Sequence, residues 1–205
     1  MIVEKIEESG RKTVMRDIHR PIKGKSKGWD NHSLQTLIKL IKRGDEHGKA
    51  ERLLLVNLEI TAPRYIWQEF DTYNVGVIKG NSESTMFTLL KELENNDVES
   101  ILELFDNDAP FAPIETLIKV YENSKKVLSK DRLRLNIKTS LPESFLQTRT
   151  RIISYQTLRR MYNQRKNHKL EWWNDFFVEL IPQLNEKELI LETWNLKAYH
   201  KNILK

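Results

Sequence analysis

Apolar positions recur along the chain with two different periods. In "SLQTLIKLIKRGD" (33–45), Leu34, Leu37, Ile38 and Ile41 are spaced by three and four residues, which lines one face of a helix. Ser33 is placed to cap that helix and Gly44 to end it. "ERLLLVNLEIT" (51–61) is instead rich in aliphatics and β-formers and predicts a buried strand. "APRYIWQEFDTYNV" (62–75) opens on a proline, sets Gln68 among aromatic and aliphatic residues, and predicts a short helix over 63–72. "NVGVIKGNSES" (74–84), with its glycines and small polar residues, reads as a loop. Ser84 then caps a helix over about 85–95 that turns Leu89, Leu90 and Leu93 inward. "APIETLIKVYENSKKVLS" (112–129) predicts a further helix, and "RLRLNIK" (132–138) alternates as a strand does. Pro142 breaks the chain. A long helix is expected from about 144 to 167, and two more near 170–181 and 186–194. The pattern is that of a helix-dominated α+β domain. Residues 1–205 form a single domain on this reading, with no internal repeat and no low-complexity linker.

Composition narrows the class. The chain has 205 residues, of which 39% are hydrophobic and 31% charged, enough for one soluble domain with a real core. No apolar run approaches the ~18–20 residues of a membrane helix, so no membrane association is expected. The start, "MIVEKIEESGRK", lacks the basic segment and apolar stretch of a signal peptide. The absence of cysteine excludes disulfides, thiolate zinc sites and cysteine nucleophiles, and it fits a cytoplasmic location. Net charge is +5, unevenly spread: residues 91–108 carry seven carboxylates and one lysine, and residues 125–169 carry thirteen Lys/Arg against Asp131 and Glu143. A basic stretch of this kind either attracts phosphates or is a solvated surface.

Standard catalytic signatures are absent. There is no βαβ alternation with a glycine-rich turn, so neither a Rossmann nor a P-loop site is expected, and there is no Gly-x-Ser-x-Gly elbow. His168 stands alone, without a second histidine or carboxylate at ligand spacing, and the other histidines (19, 32, 47 and 200) are scattered, so no metal is expected. On the helix expected over about 144–167, Leu158, Met161, Tyr162 and Arg165 share a face, which sets a guanidinium beside a core-facing stripe. An arginine there needs an anion: an internal carboxylate, a bound phosphate, or the imide face of a pyrimidine. "GNSES" (80–84) leads into a helix start, where free N–H groups and the hydroxyls of Ser82 and Ser84 serve either as an anion site or as caps. Trp172, Trp173, Phe176 and Phe177 read as core or subunit interface rather than as a base-stacking platform.

Taken in order, several of these segments resemble the flavin-dependent thymidylate synthases. Glu51-Arg52 precede a strand where the family has Glu-His. Ala62-Pro63 and Trp67-Gln68 follow, then Asp71-Thr72-Tyr73 where the family has Arg-His-Arg. The loop carries Asn81, Glu83 and Ser84. Downstream come Lys138, Leu141-Pro142, Ser154-Tyr155-Gln156-Thr157-Leu158 and Arg165, with the family's spacing from Leu141 to Arg165 kept without a gap. The likeness covers roughly 33–175. It implies a single α+β domain, helix-rich with an antiparallel sheet, assembled as a homotetramer with active sites formed between subunits. It also implies conversion of dUMP to dTMP with FAD, NADPH and methylenetetrahydrofolate, without an enzyme nucleophile.

Carried over residue by residue, the resemblance makes Arg165 the catalytic cation. It makes Gln68, Ser82, Glu83, Ser84, Lys138 and Arg165 nucleotide contacts, with either Ser82 or Glu83 standing for the family's glutamate. Arg52, Tyr73, Asn81 and Gln156 become the flavin-side positions. The departures fall unevenly: Asp71, Thr72, Arg52, Ser154 and Gln156 all replace family residues on the flavin side, whereas Gln68, Ser84 and Arg165 survive. Two expectations follow, an enzyme acting on dUMP or a related pyrimidine nucleotide, and a catalytically inactive relative that binds a nucleotide or a protein partner. Nucleic-acid binding through 125–169 is a third, disfavoured one.

Overall fold

The computed structural model describes residues 2–22, 28–95 and 97–192. In chain order the elements are β1 (Ile2–Ser9), α1 (Arg11–His19), α2 (Asn31–Lys42), β2 (Leu55–Pro63), α3 (Arg64–Phe70), β3 (Val77–Ser82), α4 (Thr85–Asn95), α5 (Val98–Leu102), α6 (Phe111–Ser124), α7 (Lys130–Thr139), β4 (Leu146–Ser154), α8 (Tyr155–Arg165), α9 (Glu171–Leu180) and α10 (Glu188–Leu191). Short 3₁₀ turns lie at Arg20–Ile22, Lys49–Leu53 and Ile181–Gln183. The four strands form one antiparallel sheet in the order β1-β2-β4-β3. Register along β2 and β4 is set by the Tyr155 N–H donating to Leu54 O and by the Thr61 and Thr148 hydroxyls meeting at 2.9 Å. On the other edge of β4, Ser154 N–H donates to Gly76 O and Glu83 N–H to Thr148 O. The α+β class read from the pattern is the class observed.

Contacts within the chain define two compact units. One holds Ile2, 60–72 and 81–149, the other 3–59, 73–80 and the described residues from 150. In the first, α4 packs on α5 and α7, and α6 on α7. Leu89, Leu93, Ile101, Phe105, Leu117, Ile137 and Phe145 fill the core between them. In the second, α1 packs on α2, and α8 on α9 and α10. Leu37, Val56, Leu58, Leu158, Met161, Trp173 and Phe176 are buried there.

Several expectations are corrected. Residues 132–138 are helical, in α7: Leu133 and Ile137, four apart, turn inward while Arg132 and Leu135 face out, so the alternation was coincidental. The long helix over 144–167 is a strand, β4, followed by α8. Ser154 is the junction, extended itself and capping α8 by accepting from the Thr157 N–H. The loop at 74–84 contains β3, whose residues are exposed apart from half-buried Val77 and so give no hydrophobic alternation. The strand expected at 51–61 begins only at Leu55, after a 3₁₀ turn. Ser33 lies inside α2, and the cap is Asp30, whose carboxylate accepts from the Ser33 N–H at 2.8 Å. That bond holds the Asp30 carboxyl below its usual range. The last expected helix is α10, and positions 193–194 of its predicted span lie outside the described residues. β1 and α1 were not foreseen. Among the described residues no helix is long and apolar enough to cross a membrane.

Candidate functional site

α8 carries Arg165 on a face shared with the core residues Leu158 and Met161 and with half-buried Tyr162. Leu158 and Met161 are fully buried, and Arg165 closes the last turn, where a cation suits the helix dipole. The segment Tyr73–Gly76 is fastened along this helix. Thr157 Oγ1 donates to Val75 O at 2.8 Å, Ser154 N–H to Gly76 O at 2.9 Å, and Tyr73 OH to Gln164 Oε1 at 2.9 Å. Gly76 has φ +75°, and a Cβ there would stand 2.6 Å from Ser154 Oγ, so only glycine brings the turn this close.

The fastening delivers Tyr73 to Arg165. Arg165 Nε donates to Tyr73 OH at 2.9 Å, and the guanidinium carbon lies 5.0 Å from the Trp173 ring and 5.7 Å from the Tyr73 ring. Tyr73 and Trp173 meet edge-on at 6.1 Å. His168 Nε2 is 2.8 Å from Arg165 Nη1. The guanidinium is half-buried and held by a hydroxyl, an imidazole and an indole face, an arrangement that fixes its plane. Nearby Lys166 lies 5.6 Å from the Tyr162 ring, and burial lowers its pKa.

In the same unit Arg52, exposed, donates from Nε to Gln156 Oε1 at 2.9 Å. Gln156 is buried, and its Nε2 has no hydrogen-bond partner among the described residues. Glu51, the neighbour that the resemblance pairs with Arg52, is fully buried and gripped by Arg159 through two guanidinium nitrogens at 2.9–3.2 Å. Burial pushes the Glu51 carboxyl up, against the pull of Arg159. Asp45 bridges Arg159 and Arg160, and these bonds, Arg160's first, hold its carboxyl below the usual range.

The other unit carries the remaining candidates. Gln68 is exposed on α3 and donates to Glu143 Oε2 at 3.0 Å. Asn81, Ser82, Glu83 and Ser84 are exposed at the end of β3 and the start of α4, and Glu83 Oε1 accepts from Thr88 Oγ1 at 3.1 Å. Lys138 is exposed in the last turn of α7. Asp71 pairs with Arg149 at 2.9 Å, and Arg149 lies 4.5 Å from the Trp67 ring, whose Nε1 donates to Gln147 O. Within single units, then, Tyr73 meets Arg165, and Arg52 meets Gln156. Arg149 and the holding roles of His168 and Trp173 were not foreseen. Arg149 is hidden in the sequence because the β4 segment has a helical reading there, whereas Trp173 reads as core or subunit interface. Among the described residues no cluster of His, Asp and Glu could hold a metal ion.

No protein-family model and no curated protein matches the sequence. Solved structures do match. A flavin-dependent thymidylate synthase, ThyX, from Helicobacter pylori, complexed with FAD and dUMP, aligns with a TM-score of 0.72 at 18% identity, covering 93% of this chain and 97% of its own. A second structure of that protein with the same ligands gives 0.73, also at 18% identity, covering 94% and 99%. The fold is that of the flavin-dependent thymidylate synthases. At this identity the likeness speaks for the thymidylate synthase fold and leaves its chemistry to the residues above.

Proposed function

We propose that this chain is a thymidylate synthase-type protein that binds a pyrimidine nucleotide, dUMP or a close relative, through Arg165. The observation that carries the reading is the fold, which follows over nearly its whole length a synthase complexed with dUMP. A guanidinium is always charged and offers a planar fork of donors, suited to a phosphate or to the carbonyls of a pyrimidine imide. Here it is held in advance by Tyr73 and Trp173. Gln68, Ser82, Glu83, Ser84 and Lys138 are proposed as further nucleotide contacts, and the assembly as a cytoplasmic homotetramer.

The flavin side is different. Asp71, standing where the resemblance has an arginine, is committed to Arg149, and Tyr73 to Arg165 and Gln164. Ser154 is buried and caps α8, and Gln156 is buried against Arg52 with a donor left over. A carboxylate in place of a guanidinium, paired with Arg149, leaves a neutral couple where the resemblance implies a cation to meet a pyrophosphate. These residues do not fit the flavin contacts the resemblance implies, and no step through FAD is derived from them. The reading supported best is a relative that binds the nucleotide without those contacts. A second reading, methylation of dUMP with FAD, NADPH and methylenetetrahydrofolate, is favoured by the FAD in the matching structures and requires a flavin held by Arg52, Asn81 or other residues.

A visible absorption spectrum of the purified protein, with identification of anything released on denaturation, separates the two. The first reading expects a colourless protein whose melting temperature rises with dUMP. A stoichiometric yellow flavin would replace it with the second.

A further inference from the structure

We infer that His168 is a positioning residue for Arg165, an inference that rests on the nucleotide reading above. α8 ends at Arg165, and the His168 N–H donates to Arg165 O at 2.8 Å, so the turn leaving the helix folds the imidazole back onto the side chain of that arginine. His168 Nε2 stands 2.8 Å from Arg165 Nη1. A guanidinium has only donors, so this contact is a hydrogen bond only when Nε2 carries no proton. The Leu170 N–H also donates towards Nδ1 at 3.3 Å, so two donors compete for the ring and the longer bond is given up if Nε2 accepts. A neutral ring has one acceptor nitrogen, and the shorter bond from the charged donor takes it, which assigns the ring proton to Nδ1.

Arg165 is thereby held by Tyr73, Trp173 and His168 among others. Tyr73 OH takes Nε, the Trp173 ring sets the height of the guanidinium plane, and His168 takes Nη1 and so sets the rotation of the fork. A fork oriented in advance loses less side-chain freedom when it meets a planar, two-acceptor group such as a phosphate or an imide. His168 touches no ligand in this account. It acts through Arg165.

Two measurements test the role. The ¹⁵N ring spectrum of the full chain, recorded above the ordinary imidazole titration range, should show His168 as the Nδ1–H tautomer with Nε2 as acceptor. An Nε2–H tautomer overturns the inference. Titration with dUMP should show His168→Ala binding about 5- to 10-fold more weakly than wild type, the size of re-immobilising one long side chain. His168→Gln, whose Oε1 can accept from Nη1, should stay within about 2-fold of wild type. Equal affinity in all three proteins, or an equal loss in both variants, overturns it. If wild type does not bind dUMP, the nucleotide reading fails, while the tautomer still decides whether His168 holds Arg165.

Discussion

Asp71 shows how one side chain redirects a site. On a bare sequence it is an arginine position turned acidic. In the folded chain it is half of an ion pair with Arg149, which also lies over the Trp67 ring. Both partners are partly buried, so the pair is worth more than an open surface bridge but far less than a core one. Asp71→Arg, the change that would restore the family residue, should therefore destabilise the protein by about 1–2 kcal/mol, through loss of the pair and repulsion from Arg149. Asp71→Arg with Arg149→Asp should recover most of that loss. Denaturant melts of the three proteins check it, and a single variant as stable as wild type would show the pair to be idle. The sequence marked this position as unusual, but the compensating cation lies 78 residues away and could not be paired with it by spacing.

At the scale of elements, legibility followed the visibility of the hydrophobic period. α2, α4 and α6 were readable because their buried residues recur at helical spacing. β4 was not, because in its run "LQTRTRIIS" the arginines interrupt one face and the threonines the other, so neither face is apolar. The turn holding Tyr73 to α8 was also invisible, although Gly76 was in view. Gly76→Ala should cost about 2–3 kcal/mol, combining the positive φ with a Cβ pressed on the Ser154 cap, and it should weaken dUMP binding by loosening Tyr73. Unchanged stability would mean that the turn can relax. α3 offers a pH test. Tyr65 OH donates to Asp106 Oδ2 at 2.9 Å, and burial together with that bond pushes its pKa up to about 12. An acid whose folded pKa is raised keeps its proton in the folded state after the unfolded state has lost it. Unfolding then releases a proton, and stability falls as pH rises from the ordinary tyrosine value of about 10 towards the folded one. Tyr65→Phe should be less stable below that window and should show a shallower loss within it, read as the difference between the two alkaline stability curves. Parallel curves would contradict the assignment.

For the whole molecule, part of the basic stretch over 125–169 is spent on ion pairs within the chain. Within 125–169, Lys125 pairs with Glu122, Arg134 with Asp131, Arg149 with Asp71, and Arg159 and Arg160 with Asp45. Five of its thirteen cations lie, in space, in ion pairs on several elements rather than in one run. The candidate site was legible in part for the same reason. Arg165 stood out by its place on an apolar helix face, whereas Tyr73, Trp173 and His168, which hold it, come from segments whose packing against α8 no local pattern announces. The most direct test of the account is a calorimetric titration of the purified protein with dUMP beside Arg165→Ala. Wild type should bind saturably and the still-folded variant should lose about 100-fold or more in affinity, of the order expected when a charged hydrogen-bonding anchor is removed. Absence of binding by wild type, or equal binding by both proteins, would contradict it.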